Sequence, residues 1–233
     1  MGSYKTSYTT RRLAIITNSG HGGKSPSTGE YTTDPRDGKK FKHPIVNGQE
    51  FHGGGWLYEG VFNREFLAEF IAQAQQAGFY SYNVMHPFND TDLRPRTDLA
   101  NHIFNTLGLE CIYLGIHSNA ANGKARGFRN FYYPSSKGGK FLCECISHFV
   151  APVCTAFGSP SPNPVRLGYI AGDPKRGIMH ELSATSMVAN LLEILFFDNI
   201  EDANLLVNPY FIKRVSKALV EAIVYYEKQI FGY

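Results

Sequence analysis

Short apolar runs alternate along this chain with longer segments whose apolar residues recur at helical spacing, and that alternation restricts it to an α/β arrangement. RLAIIT reads as a buried strand. EGVFNREFLAEFIAQAQQAG follows with Phe62, Phe66, Phe70, Ile71 and Ala74 on one helical face and Gly78 at its end. FYSYNVM reads as a strand, RTDLANHIFNTLG as a helix aligning Leu99, Ile103 and Leu107, and CIYLGIH as a strand ending at His117. GFRNFYY alternates like a strand and GKFLCECISHFVAPVC has helical spacing; MVANLLEILFF reads as a fully buried strand and YFIKRVSKALVEAIVYYEKQI as a long C-terminal helix. The pattern predicts one α/β domain over residues 1–233, with helices on both faces of a sheet and no internal repeat. Two stretches fall outside it. Residues 24–58, rich in Gly, Pro, Asp and Lys, exceed most α/β connections and read as a functional lobe. GSPSPNPVRLG carries three closely spaced prolines and reads as a stiff, exposed loop.

Composition excludes several classes. With 43% hydrophobic and 18% charged residues the chain can build a sizeable core and is neither fibrous nor disordered. A net charge of +3 without a dense Lys/Arg run gives no nucleic-acid footprint. No apolar stretch is long enough for a membrane span, and MGSYKTSYTTRR has no apolar core of a secretory signal, so the chain is expected not to export itself. Cys111, Cys143, Cys145 and Cys154 lack the spread of a disulfide framework and read as thiols.

Sites in open α/β sheets form at the carboxyl ends of strands. In NSGHGG, directly after the first strand, flanking glycines would present His21 at that edge. His117, followed by SNA, ends a strand; Glu193 lies within LLEILFF; Glu59 stands where residues 24–58 enter the first helix. Two histidines and one carboxylate as ligands, with a second carboxylate free, make a hydrolytic zinc arrangement: the open fourth position activates water, and the free carboxylate moves its proton. Glu193 suits the second role, because its apolar neighbours desolvate it and raise its pKa. Each residue also has a structural reading: Glu193 paired with Arg176, Glu59 favoured by the helix dipole, His117 as a satisfied core histidine, His21 as a loop residue. A rival zinc set, Cys143, Cys145, His148 and Cys154, fails on spacing, since the first two point to opposite sides of the helix they share; core cysteines are the better reading.

LAIITNSGHGG, YEGVFN, LRPRTDLAN, YLGIHSNAA, RGF and LLEILFFDNIEDANLL, in this order, resemble the zinc-dependent N-acetylmuramoyl-L-alanine amidases of the amidase-3 type over about residues 12–227. The resemblance implies a single twisted, mostly parallel sheet of about six strands between helices. It implies one Zn²⁺ per chain held by His21, Glu59 and His117, with Glu193 as the catalytic glutamate. It names the bond, the amide between N-acetylmuramic acid and L-alanine of peptidoglycan. The gap between His21 and Glu59 is longer than the family's, which leaves Glu30 and Glu50 as alternative third ligands. Asn119 and Arg96 are candidate substrate contacts, although a helix start accounts for Arg96 equally. No autoinhibitory helix follows GFRNFYY, so the cleft is expected to be open.

The expected protein is thus a monomeric, single-domain zinc amidase without a separate wall-binding domain. It is expected to act as a phage-type lysin, made in the host cytoplasm and reaching the wall by a holin-type or other route. A host cell-wall remodelling amidase whose signal has been removed, and a non-catalytic peptidoglycan-binding module on the same fold, are the alternatives. Lys24, Arg36, Lys39, Lys40 and Lys42 would place residues 24–58 near an anionic stem peptide.

Overall fold

The computed structural model describes residues 11–232, so residues 1–10, on which the expectation of a missing leader rests, lie outside it. Strand β1 (Leu13–Ser19) is buried along its whole length and pairs in parallel with β4 (Tyr80–Asn83) on one side and β5 (Glu110–Asn119) on the other. Next to β5 lies β8 (Val188–Phe196), also parallel; β6 (Arg129–Tyr132) runs antiparallel to β8, and β7 (Val165–Leu167) closes the sheet in order β4-β1-β5-β8-β6-β7. The sheet therefore has six strands and one antiparallel pairing, as an α/β chain of this pattern should.

Alternate residues of the central strands feed two cores. Leu13, Ile15, Leu114, Ile116, Leu192 and Ile194 pack against α1 (Glu59–Gln76), α3 (Lys137–Ala156), α5 (Ile200–Leu206) and α6 (Pro209–Phe231). Ala14, Ile16, Tyr113 and Leu191 face the other way, toward α2 (Leu93–Leu107) and the short α4 (His180–Ser183). Helices cover both faces, as expected, and Phe62, Phe66 and Phe70 of α1 are fully buried.

Three local expectations need correction. Leu99 is 43% exposed, because α2 turns Arg96, Thr97 and Ala100 inward and leaves Leu99 on its outer edge. GSPSPNPVRLG is not simply an exposed loop. The hydroxyl of Ser159 is buried against Asp202 at 2.7 Å, that of Ser161 accepts from the Phe128 amide, and the stretch ends in β7. Residues 24–58 contain a short antiparallel hairpin, β2 (Lys40–Lys42) with β3 (Trp56–Tyr58), which delivers the chain into α1. The four cysteines are buried and unbridged. None of the described helices is long and apolar enough to cross a membrane.

Candidate active site

The strand order places the carboxyl ends of β1, β5 and β8 side by side, and a cluster of polar side chains stands there. The chain leaves β1 at Ser19 and reaches His21 in a left-handed conformation, φ 65°. Close approach explains its glycine neighbour: a Cβ on Gly20 would lie 2.0 Å from the His117 ring, so only glycine lets β1 end against that imidazole. A Cβ on Gly60 would lie 1.9 Å from the Gly22 carbonyl, which brings the start of α1 against the same turn. Asn63 donates to the Gly20 carbonyl at 2.9 Å and Arg64 to the His21 carbonyl at 2.6 Å, so the first turns of α1 hold the histidine loop.

Within this frame His21, Glu59 and His117 each offer a ligand atom, all within 4.8 Å of one another. Glu59 Oε1 lies 3.1 Å from His117 Nδ1 and 3.5 Å from His21 Nε2. The two rings meet edge to face, with centroids 5.3 Å apart. Glu59 Oε2 is buried without a close hydrogen-bond partner and faces only the Lys39 ammonium among the described ion pairs, so this carboxylate is placed to meet a cation. Two imidazoles and a carboxylate form a donor set suited to zinc with one position left open. Glu30 and Glu50 are exposed and stand outside this cluster.

Electrostatics tie the group together. Burial, helped by the charges of His117 and Lys39, lowers His21 to about 4 and keeps it neutral against the pull of Glu59. Glu59 is also buried, which alone would raise its pKa, but His21, His117 and Lys39 outweigh that and hold it well below the usual carboxylate range. Lys39, from the strand-like entry to the hairpin, brings its ammonium 3.4 Å from Glu59 Oε2, so this loop cation is drawn into the cluster.

Glu193 is the register partner of His117 across the β5–β8 ladder, which puts both on one face of the sheet. The ladder slips between His117 and Asn119, and Leu195 adopts φ 59°, so the two strands change register just past Glu193. Burial lifts the Glu193 carboxyl to about 7; Glu59 and Glu181 add to the rise, and His117 and Lys39 oppose it. Its Oε2 has no hydrogen-bond partner. The alternative of a structural ion pair with Arg176 finds no support among the described contacts, and Arg176 is exposed.

A family profile described as Amidase_3, N-acetylmuramoyl-L-alanine amidase, matches residues 15–225. The chain belongs to the N-acetylmuramoyl-L-alanine amidase family. Solved amidase structures share the fold at low identity. The catalytic domain of CwlV, an N-acetylmuramoyl-L-alanine amidase from Bacillus (Paenibacillus) polymyxa var. colistinus, superposes with a TM-score of 0.64 at 16% identity, covering 92% of this chain and 97% of that one. An N-acetylmuramoyl-L-alanine amidase from Clostridium difficile 630 gives 0.65 at 15% identity, with 93% and 97% covered. The catalytic domain of the CD27L endolysin, which targets Clostridia difficile, gives 0.61 at 18%, with 92% and 98% covered. No curated protein matches the chain in sequence.

Other candidates take different places in this amidase fold. Arg96 is buried in the first turn of α2 and donates to Asp90 at 2.9 Å while lining a cleft that also contains His21 and Asp34. Asn119 stands at the end of β5, its side-chain oxygen accepting from the Ala120 amide, at the edge of a second cavity shared with Glu193. His148 lies far along α3, beside Pro152 and Val165, with no metal-type cluster around it among the described residues.

One residue escaped the sequence reading altogether. Glu181, in α4, is 3% exposed, and its Oε2 lies 3.0 Å from His117 Nε2 while Oε1 accepts from the Tyr113 hydroxyl at 2.8 Å and from Asn18 Nδ2. Burial would raise this carboxyl, yet His117 and Tyr113 hold it down at about 2. The histidine is buried too, and Glu181 and Glu59 together raise it to about 10. The only trace of Glu181 in the sequence is a carboxylate between His180 and Leu182, in a segment with no readable period.

Proposed function

We propose that this member of the amidase family is a zinc-dependent enzyme that hydrolyses the amide between N-acetylmuramic acid and L-alanine in peptidoglycan. The observation that carries the reading is the convergence of His21, Glu59 and His117 within 4.8 Å of one another, beside a half-buried carboxylate, Glu193, that is in no ion pair among the described residues. Zinc bound to the three residues would supply Lewis-acid polarisation of the scissile carbonyl and of the attacking water. Glu193 accepts the proton of that water and passes it to the departing alanine nitrogen; desolvation, which favours the protonated carboxyl, suits it to hold the proton between the two steps. Glu181 holds the His117 ring so that Nδ1 faces Glu59. A binding module would have no need of Glu193, whose desolvation costs stability without a structural partner to offset it.

We further propose that the protein works as a lysin that reaches the wall from the host cytoplasm by a separate export route; its likeness to an endolysin catalytic domain supports this reading. The test is to incubate purified peptidoglycan with the protein, with and without a zinc chelator, and to assay freed amino termini and reducing ends separately. Alanine amino termini that rise without reducing ends, and stop rising on chelation, carry the amidase reading; reducing ends would make it a glycosidase, and no release would favour a binding module. Added to susceptible cells from outside, a lysin clears the suspension, whereas a remodelling amidase separates cells without clearing.

A further inference from the structure

One antiparallel strand gives the site a feature that the metal cluster does not use. Because β6 runs opposite to β8, its first residue, Arg129, pairs with Glu193 at the carboxyl edge of the sheet. In the parallel β6–β7 ladder Arg166 pairs with Phe131, so Arg129 and Arg166 stand diagonally on the face that carries Glu193. Both arginines, with Glu193, Asn119 and Phe196, line one cavity of about 500 Å³.

Neither guanidinium is in an ion pair among the described residues. Arg129 donates to the backbone carbonyls of Phe128 at 2.8 Å and Arg126 at 3.3 Å and lies over the Phe196 ring, with its carbon 5.8 Å from the ring centre. None of the described carboxylates pairs with Arg129 or Arg166, whereas neighbouring Arg126 is bound by both Glu201 and Asp202. Burial, and next the charge of Arg166, lower the Arg129 pKa, with Asp202 opposing them, as expected where two cations face one cavity. The cleft on the His21 side is opposite in sign, lined by Asp34, Asp37, Asp90 and Asp92. The site is thus charged like a dipole, basic beside the proposed base and acidic beside the first histidine.

We propose that Arg129 and Arg166 form a carboxylate subsite that takes a free carboxylate of the peptide leaving group, one to two residues beyond the scissile amide. The inference rests on the amidase reading above. A peptide advances about 3.3–3.6 Å per extended residue, so a carboxylate on the second residue reaches a cavity that begins at Glu193. Arginine forks suit carboxylates in bidentate geometry, and a second residue of D-glutamate linked through its side chain offers its α-carboxylate there. An amidated second residue carries no charge and loses the contact.

The experiment compares two soluble substrates: N-acetylmuramoyl-L-alanyl-γ-D-glutamyl-L-lysine amide, and its counterpart with D-isoglutamine in the second position. The wild-type protein is expected to show a kcat/KM about tenfold higher on the glutamate form, from the loss of a charge-assisted contact. In Arg129→Gln and Arg166→Gln that ratio falls toward one, and Arg166→Lys restores part of it. The peptide product L-alanyl-γ-D-glutamyl-L-lysine amide, titrated calorimetrically without turnover, binds the wild type and loses affinity in both Gln variants. A third substrate, with isoglutamine in second position and a free lysine carboxyl, tests the other carboxylate source; preference for that substrate overturns the second-residue assignment. Equal hydrolysis of the glutamate and isoglutamine forms by the wild type overturns the subsite and leaves the amidase reading standing. Failure on every substrate and on whole peptidoglycan overturns the amidase reading, while the product titration still decides whether the arginines bind a carboxylate.

Discussion

Glu181 and His117 are 64 residues apart in the chain, yet the carboxylate of one lies 3.0 Å from Nε2 of the other, on the side of the ring away from Glu59. A carboxylate there fixes the proton on Nε2 and leaves Nδ1 as the atom that faces the ligand cluster. Glu181→Ala is expected to weaken zinc binding about 10–100-fold, and Glu181→Gln less, because an amide oxygen still accepts the Nε2 proton. Competition with a chromophoric chelator measures this; an unchanged affinity in the Ala variant would remove the positioning role.

Glu193 is expected to matter for turnover and not for loading. Glu193→Gln keeps the volume and removes the basic carboxylate, so hydrolysis should fall by about 10²-fold or more while bound zinc, counted by elemental analysis, stays at the wild-type level. Full activity in this variant would reassign the base.

Gly20 offers a stricter geometric test. A methyl group there meets the His117 ring at 2.0 Å, and the ring is pinned from behind by Glu181, so it has little room to retreat. Gly20→Ala is expected to cost about 1–3 kcal/mol of stability from overpacking and to lower zinc affinity as well. A melting curve and a zinc titration superimposable on those of the wild type would show that the turn relaxes more freely than the packing implies.

The cysteines should be chemically silent. Burial raises the thiols of Cys111 and Cys145 to about 11 and that of Cys143 to about 12, and pushes Cys154 up as well. At pH 8 a chromogenic disulfide reagent is expected to find essentially no thiol in the native protein and all four after denaturation. A thiol that reacts fully before unfolding would place it outside the core.

Much of the fold was legible because local period and burial agree in its long elements. The Phe62–Phe66–Phe70 face of α1 and the mostly apolar, mostly buried run of β8 have one use each. The short pieces were not legible. Strand β7 has three residues behind a run of prolines and forms because β6 offers it an edge; nothing in VRL announces this. Leu99 continues the apolar spacing of α2 but lies beyond the width of the contact the sheet offers. At the site, His21, His117 and Glu193 could be singled out because each stands at a strand end or in an apolar run. Glu59 could be proposed from its position at a helix start. Glu181 could not, because its role exists only in three dimensions: from α4 it is a partner of Asn18 in β1 and of Tyr113 and His117 in β5.

His21 and Glu59 also stand at the two ends of the long insertion, so an ion gripped by both would act as a clasp on a loop of about 40 residues. Such an ion binds only the folded arrangement and is released when the loop opens, so its binding free energy adds to the stability of the closed insertion. The insertion would then be as firm as the site is loaded, and proteolytic nicking within it would report metal occupancy from outside the catalytic centre.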